Sequence, residues 1–110
     1  MSPSTLPAAQ ALVLHDLVMP TAHGIDSRVL AKAGGGNVTL FSFAAGQGLT
    51  EHTSPFDALV IVLEGRLVLS VAGAPVDAVP GTLVRLPANV PHAVDAPSDA
   101  RMLLVMLKDA

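Results

Sequence analysis

Hydrophobic residues in this chain fall in short runs separated by glycine and proline turns, a rhythm of strands rather than helices. Residues 25–30 form the first candidate strand, with Ile25, Ser27 and Val29 on one face. Gly34-Gly35-Gly36-Asn37 is a turn, residues 38–43 are the next strand, and Gly46-Gln47-Gly48 ends it. Residues 49–53 are short and extended. A strand follows at 58–63, Gly65 turns the chain into 67–71, and Gly73 to Pro75 make another hairpin turn. Pro80-Gly81 precede a strand at 83–86, and residues 102–107 close the series. Short strands with frequent turns predict an all-β fold, an antiparallel barrel or sandwich of roughly six to eight strands. No stretch requires a helix longer than about three turns.

The first residues read differently. Residues 1–7 look like a loose start, and Ala8 to Met19 is ambiguous. Leu12, His15, Val18 and Met19 would share a helix face, yet VLHDLV suits a short extended piece as well. Pro20 ends this stretch and Gly24 marks a turn. The expected division is a covering segment over residues 1–24 and a barrel domain over 25–110.

Two runs break the alternation expected of a strand with one wet face. LVIVL at 59–63 and MLLVML at 102–107 are apolar at every position. Both faces of these strands must therefore be covered. The barrel interior covers one, and the N-terminal segment or a second subunit covers the other. A homodimer is the expectation, with residues 25–30 suited to add to a partner's sheet because an exposed edge strand is a liability.

Composition narrows the partners. With 51% apolar and 14% charged residues the chain has the means for a packed core and is not a disordered one. A net charge of −3 with six scattered Lys and Arg excludes a basic footprint, so neither nucleic acid nor an anionic membrane is expected as a partner. The chain has no Cys, hence no disulfide, thiolate ligand or thiol nucleophile, and no Tyr or Trp to act as phenolic acid or aromatic platform. The first Lys or Arg is Arg28, and His15-Asp16 interrupts the early apolar run, so neither a signal peptide nor a membrane span is expected. A cytoplasmic location follows as the expectation.

Candidate chemistry sits in two stretches. The first, EHTSPFDALVIVLEG from Glu51 to Gly65, opens on a histidine, turns at Ser54-Pro55 and runs into a strand. The second, PGTLVRLPANVPHAV from Pro80 to Val94, holds a glycine turn, a short strand, a proline-rich turn and another histidine. A polar site at a strand end, repeated after a hairpin, suggests His52 and His92 facing each other across a barrel.

At these residues the chain resembles the cupin superfamily, in its small single-domain form. Gly46, His52 and Gly65 fall on the family's first motif, and Gly81, Pro87 and His92 on its second. The stretch between them, Arg66 to Pro80, has the length of the family's short hairpin, and the likeness covers roughly residues 38–107. The resemblance implies a jelly-roll-like barrel, dimerisation, and in many members a bound metal. The departures bear on that metal. Ser54 stands where the family has its second histidine, Ala58 or Leu59 where it has a glutamate, Ala96 in place of an asparagine, and Asn89 in place of a turn glycine. Asn tolerates the left-handed conformation better than other non-glycine residues. Of the family's metal-holding positions only His52 and His92 survive, and a tight site takes three or four ligands.

Asp57 is the candidate substitute. If Leu59 and Ile61 face inward, Asp57 does too, completing a two-histidine, one-carboxylate set of the kind that holds non-haem iron. Gln47 is a weaker candidate ligand, and Glu51 should point away from its neighbour His52. His15 and His23 belong to neither motif. Three functions remain in view. The first is a small-molecule binding barrel without chemistry, with His52, Ser54 and His92 as polar groups in an apolar pocket. The second is a metal-dependent dioxygenase or isomerase using His52, His92 and Asp57. The third is a metal-free enzyme with one histidine as general base. The first is favoured because the ligand set is incomplete, and the cofactor is accordingly either none or a divalent metal ion.

Overall fold

The computed structural model describes residues 6–18 and 22–108. The strands are β1 (Ile25–Ala33), β2 (Gly36–Phe43), β3 (Gly48–His52), β4 (Asp57–Glu64), β5 (Leu67–Val71), β6 (Ala74–Ala78), β7 (Leu83–Leu86), β8 (His92–Asp95) and β9 (Ala100–Leu107). All ladders are antiparallel. Five strands form one sheet in the order β1-β2-β9-β4-β7, and four form the other in the order β3-β8-β5-β6. The connections cross between sheets, so the two curl into the antiparallel barrel that the turn spacing predicts, in the jelly-roll-like form that the resemblance implies. No helix among the described residues is long and apolar enough to cross a membrane.

The core lies between the sheets. Ala58, Val60 and Val62 of β4 meet Phe43, Met102, Leu67, Leu69 and Val94, all buried. Each large side chain sealed here contributes roughly 1.5–3 kcal/mol of burial. This corrects the inward assignment of Leu59 and Ile61: the opposite phase of β4 fills the barrel. Leu59 and Ile61 lie on the outer face, paired with Val105 and Leu103.

The strand count exceeds the expected range because β6 and β8 carry weak signals. β6 contains Pro75, tolerated because this strand is a sheet edge. β8 has four residues, too few for a period to show. β1 and β2 run closer to their turn than expected, leaving Gly34-Gly35 as a two-residue hairpin loop. Gly36 needs its positive φ of 151°, and a Cβ there would collide with the Met106 carbonyl.

The early segment forms one turn of 3-10 helix, Leu14–Leu17, rather than a longer helix or a strand. The Met19 and Pro20 assignments lie outside the described residues. Leu6, Leu17 and Val18 pack on Leu30, Leu40, Leu63 and Leu103, covering one end of the outer face of the five-stranded sheet. The carbonyls at the end of the turn, which lack helical partners, are taken by two arginines. Arg101 donates to the His15 and Val18 carbonyls at 2.9 and 2.7 Å, and Arg28 to the Leu17 carbonyl at 3.4 Å. Arg101 is buried and also pairs with Glu64 at 3.1 Å, and Glu64 in turn contacts His15 Nδ1 at 2.9 Å. A β-bulge between Val62 and Glu64 sets Glu64 opposite Arg101. Arg101 carries no motif, and its role was not visible in the sequence.

Candidate functional site

β3 ends at His52 and β8 begins at His92, and the two residues are direct cross-strand partners. They are neighbours in one sheet, not residues on opposite walls as the sequence suggested. The hairpin between the motifs crosses the barrel, but β3 and β8 return side by side. His92 shares the inward phase of Val94 and is 6% exposed, whereas His52 is exposed at the rim.

A bulge aims His52. Leu49 pairs with Val94 and His52 with His92, so three steps along β3 match two along β8. Strict alternation from the inward Leu49 would send His52 outward; the extra residue at Thr50-Glu51 turns it back toward His92. Gly48 allows the two strands to approach here, since a Cβ would strike the Val94 carbonyl.

Each imidazole is held in the same local way. His52 Nδ1 lies 2.8 Å from the Thr50 carbonyl and His92 Nδ1 3.1 Å from the Val90 carbonyl, each two residues back. The Nε2 atoms meet at 3.1 Å, with the rings edge to face at 71°. Three contacts in series need three protons, and two neutral imidazoles bring two. Any neutral tautomer pair therefore sets two acceptors against each other at one contact. A single cation received by the two Nε2 atoms removes the conflict.

A metal ion passes this test in part. Imidazole nitrogens about 2.0–2.1 Å from one ion, at angles of about 90–110°, stand about 2.9–3.4 Å apart. The observed 3.1 Å fits that spacing. Among the described residues, however, no group of three His, Cys, Asp or Glu side chains converges. An ion here would have two protein donors and would leave its other positions to water or to a ligand.

Asp57 does not join the pair. It faces the outer side of β4 opposite Leu107, where its carboxylate accepts from Arg85 Nη2 at 3.1 Å and from the Ala88 N–H at 2.8 Å. These donors, the Ala88 N–H first and then Arg85, hold its carboxyl below the ordinary aspartate range. The inward reading of Asp57 depended on Leu59 and Ile61 and reverses with them.

Ser54 lies in the turn after β3. Its hydroxyl accepts from the Phe56 N–H at 3.2 Å, and its carbonyl accepts from the Asn89 N–H at 2.7 Å. Asn89 adopts φ 63°, the left-handed conformation its replacement of glycine requires. This bond ties together the two turns that deliver the histidines. Gln47 sits elsewhere, its backbone exchanging hydrogen bonds with Ala44 and Ala96. His23 is exposed outside the barrel.

The facing sheet adds polar groups that the sequence reading passed over. Asn37 and Thr39 share the inward phase of Phe41 and Phe43, opposite Met106 and Leu104 of β9. Met106 pairs with Ala58 at the start of β4, the end of the barrel to which the His52 turn leads. Period two along β2, counted from the phenylalanines, was the available signal.

A family model described as "Cupin domain" matches residues 39–108. No curated protein matches. Among solved structures, a conserved protein of unknown function from Streptococcus pyogenes is 31% identical over 96% of this chain and 92% of its own, with a TM-score of 0.90. A cupin superfamily protein from Desulfitobacterium hafniense is 30% identical over 94% of this chain and 95% of its own, with a TM-score of 0.88. A cupin 2 conserved barrel domain protein from Leptotrichia buccalis is 36% identical over 84% of this chain and 45% of its own, with a TM-score of 0.81. The chain belongs to the cupin domain family.

Proposed function

We propose that this cupin domain binds a small molecule at the end of its barrel where His52 and His92 meet, using the imidazole pair as the polar anchor. The observation that carries the reading is the convergence of two Nε2 atoms at 3.1 Å, each ring braced by a backbone carbonyl. A purely structural histidine needs one satisfied contact, whereas two neutral imidazoles here leave one of their three contacts without a proton. The inward residues at this end, Leu104 and Met106 of β9 with Thr39 and Asn37 of β2, would add two apolar and two polar side chains to the histidine pair for holding a small ligand. His52, exposed at the rim, meets the ligand first, and the buried His92 sets its orientation.

The same observation favours a second reading, in which a divalent metal ion occupies the pair and the ligand binds to that ion. Such an ion would act as a Lewis acid toward a ligand oxygen. The protein's part is to hold Nε2 of His52 and His92 in place through the Thr50 and Val90 carbonyls. Asp57 takes no part in this reading.

Calorimetry with Zn²⁺, Ni²⁺ and Mn²⁺, paired with ligand-detected NMR against a fragment library, tests both. Fragment binding that His92→Ala abolishes, without added metal, supports the first reading. Binding only in the presence of an ion supports the second. Binding of neither, or fragments bound equally by wild type and His92→Ala, overturns the proposal.

A further inference from the structure

The outer face of the five-stranded sheet carries a polar row at the end that the N-terminal segment covers. Ser42 of β2 pairs in register with Arg101 of β9, and Arg101 with Glu64 of β4. His15 of the segment reaches this row, its Nδ1 2.9 Å from Glu64. Segment and sheet do not close fully on each other. A cavity of about 220 Å³ remains, with these four residues and Asp99 among its walls. It is remote from the histidine pair. Arg101 precedes Met106 by five residues along β9, roughly 17 Å, and it belongs to the outer face of its sheet rather than to the barrel interior.

Two observations say what this cavity suits. Ser42 is 4% exposed, and among the described residues its hydroxyl has no hydrogen-bond partner. No fully enclosed side-chain oxygen or nitrogen among those residues lacks a partner, so the Ser42 hydroxyl opens onto the cavity it lines. A hydroxyl so deeply placed is ordinarily satisfied. The second observation is charge. Glu64 and Asp99 bring two carboxylates to the lining and Arg101 one guanidinium. The arginine is already engaged, its Nε by Glu64 and its Nη1 by the His15 and Val18 carbonyls. Asp99 accepts from the Ala45 N–H through Oδ1, which leaves its other oxygen to a ligand. The walls thus hold one negative charge in excess and more acceptors than donors. An anion would meet two carboxylates with no free guanidinium edge to receive it.

We infer that this cavity binds a small primary ammonium compound, whose –NH3+ donates to the Ser42 hydroxyl and to the Glu64 and Asp99 carboxylates. Three N–H donors match three acceptors, and one positive charge matches the excess. The volume equals about seven waters of liquid, room for an amine on a short carbon chain.

Three compounds with one chain and different heads test this: n-butylammonium, butanol and butyrate, each titrated into ¹⁵N-labelled protein. Butylammonium should saturate and move the amides of Ser42, Ala100 and Arg101, binding about tenfold tighter than butanol, with butyrate silent. Ser42→Ala and Asp99→Asn should each weaken it by about fivefold or more. Asp99→Asn keeps the Oδ1 that the Ala45 N–H needs, so it removes the charge and spares the turn. His92→Ala, at the other site, should leave the titration unchanged. Weakening in either cavity variant, with butylammonium still preferred, supports the site. Absence of saturation at millimolar concentration, equal binding of the three compounds, or affinity unchanged in both Ser42→Ala and Asp99→Asn overturns the inference, the last because the cation would then be held elsewhere.

Discussion

His52 and His92 meet Nε2 to Nε2 at 3.1 Å, and each donates through Nδ1 to the carbonyl two residues before it when that nitrogen carries the proton. The pair is thus braced from both sides and open only between the rings. That arrangement couples the two histidines through their Nε2 atoms, so that neither ring's proton placement is independent of the other's.

Whichever of the two proposed occupants the pair takes, removing either ring should weaken it. If a divalent ion binds, His52→Ala and His92→Ala are each expected to weaken it by at least about tenfold in calorimetry, roughly 1.4 kcal/mol or more. Asp57→Ala should leave it unchanged, because Asp57 faces the opposite side of its sheet. Loss of ion binding in Asp57→Ala with retention in His92→Ala would reverse the assignment.

Gly48 should be intolerant of a side chain. A Cβ there would meet the Val94 carbonyl, pushing β3 from β8 and His52 from His92. Gly48→Ala is expected to cost about 1–3 kcal/mol in urea unfolding, with a matching loss at the histidine pair. An unchanged unfolding midpoint would show that the strands separate freely.

Arg101 should act as the clasp of the N-terminal segment. Its side chain is 5% exposed and bonds to two carbonyls of that segment as well as to Glu64. Arg101→Met leaves those carbonyls unpaired, at about 1–3 kcal/mol each if they stay buried. The expected outcome is rapid proteolytic cleavage between residues 6 and 18 with the barrel intact. Equal cleavage rates in wild type and variant would contradict it.

Asp57 carries a pH signature. Its carboxyl is held below the ordinary range by the Ala88 N–H and Arg85, so it favours the folded state when ionised. That contribution is present above the unfolded-state value and is lost as pH falls through the lowered folded-state value. Asp57→Asn should lower Tm at pH 7 and converge on wild type in strong acid. A constant difference across the acid range would mean that the charge is not the cause.

The turns and short apolar runs determined the all-β class, because Gly34-Gly35, Gly65 and Gly73 punctuate the chain without any tertiary contact being needed. They also marked His52 and His92 as the residues to watch, and the unbroken apolar runs of β4 and β9 as strands with two faces to cover. Tertiary structure decided which way side chains point. In LVIVL every position is apolar, so both phases of β4 read alike, and only packing against Phe43 and Met102 chose Val60 over Ile61. Asp57 followed that choice outward. His52 turned inward through a bulge that one extra residue creates between β3 and β8, a two-strand property that no single strand's period encodes. Arg101 was unreadable for the same reason: its partners lie 83 and 86 residues away, and only folding brings those carbonyls to its guanidinium.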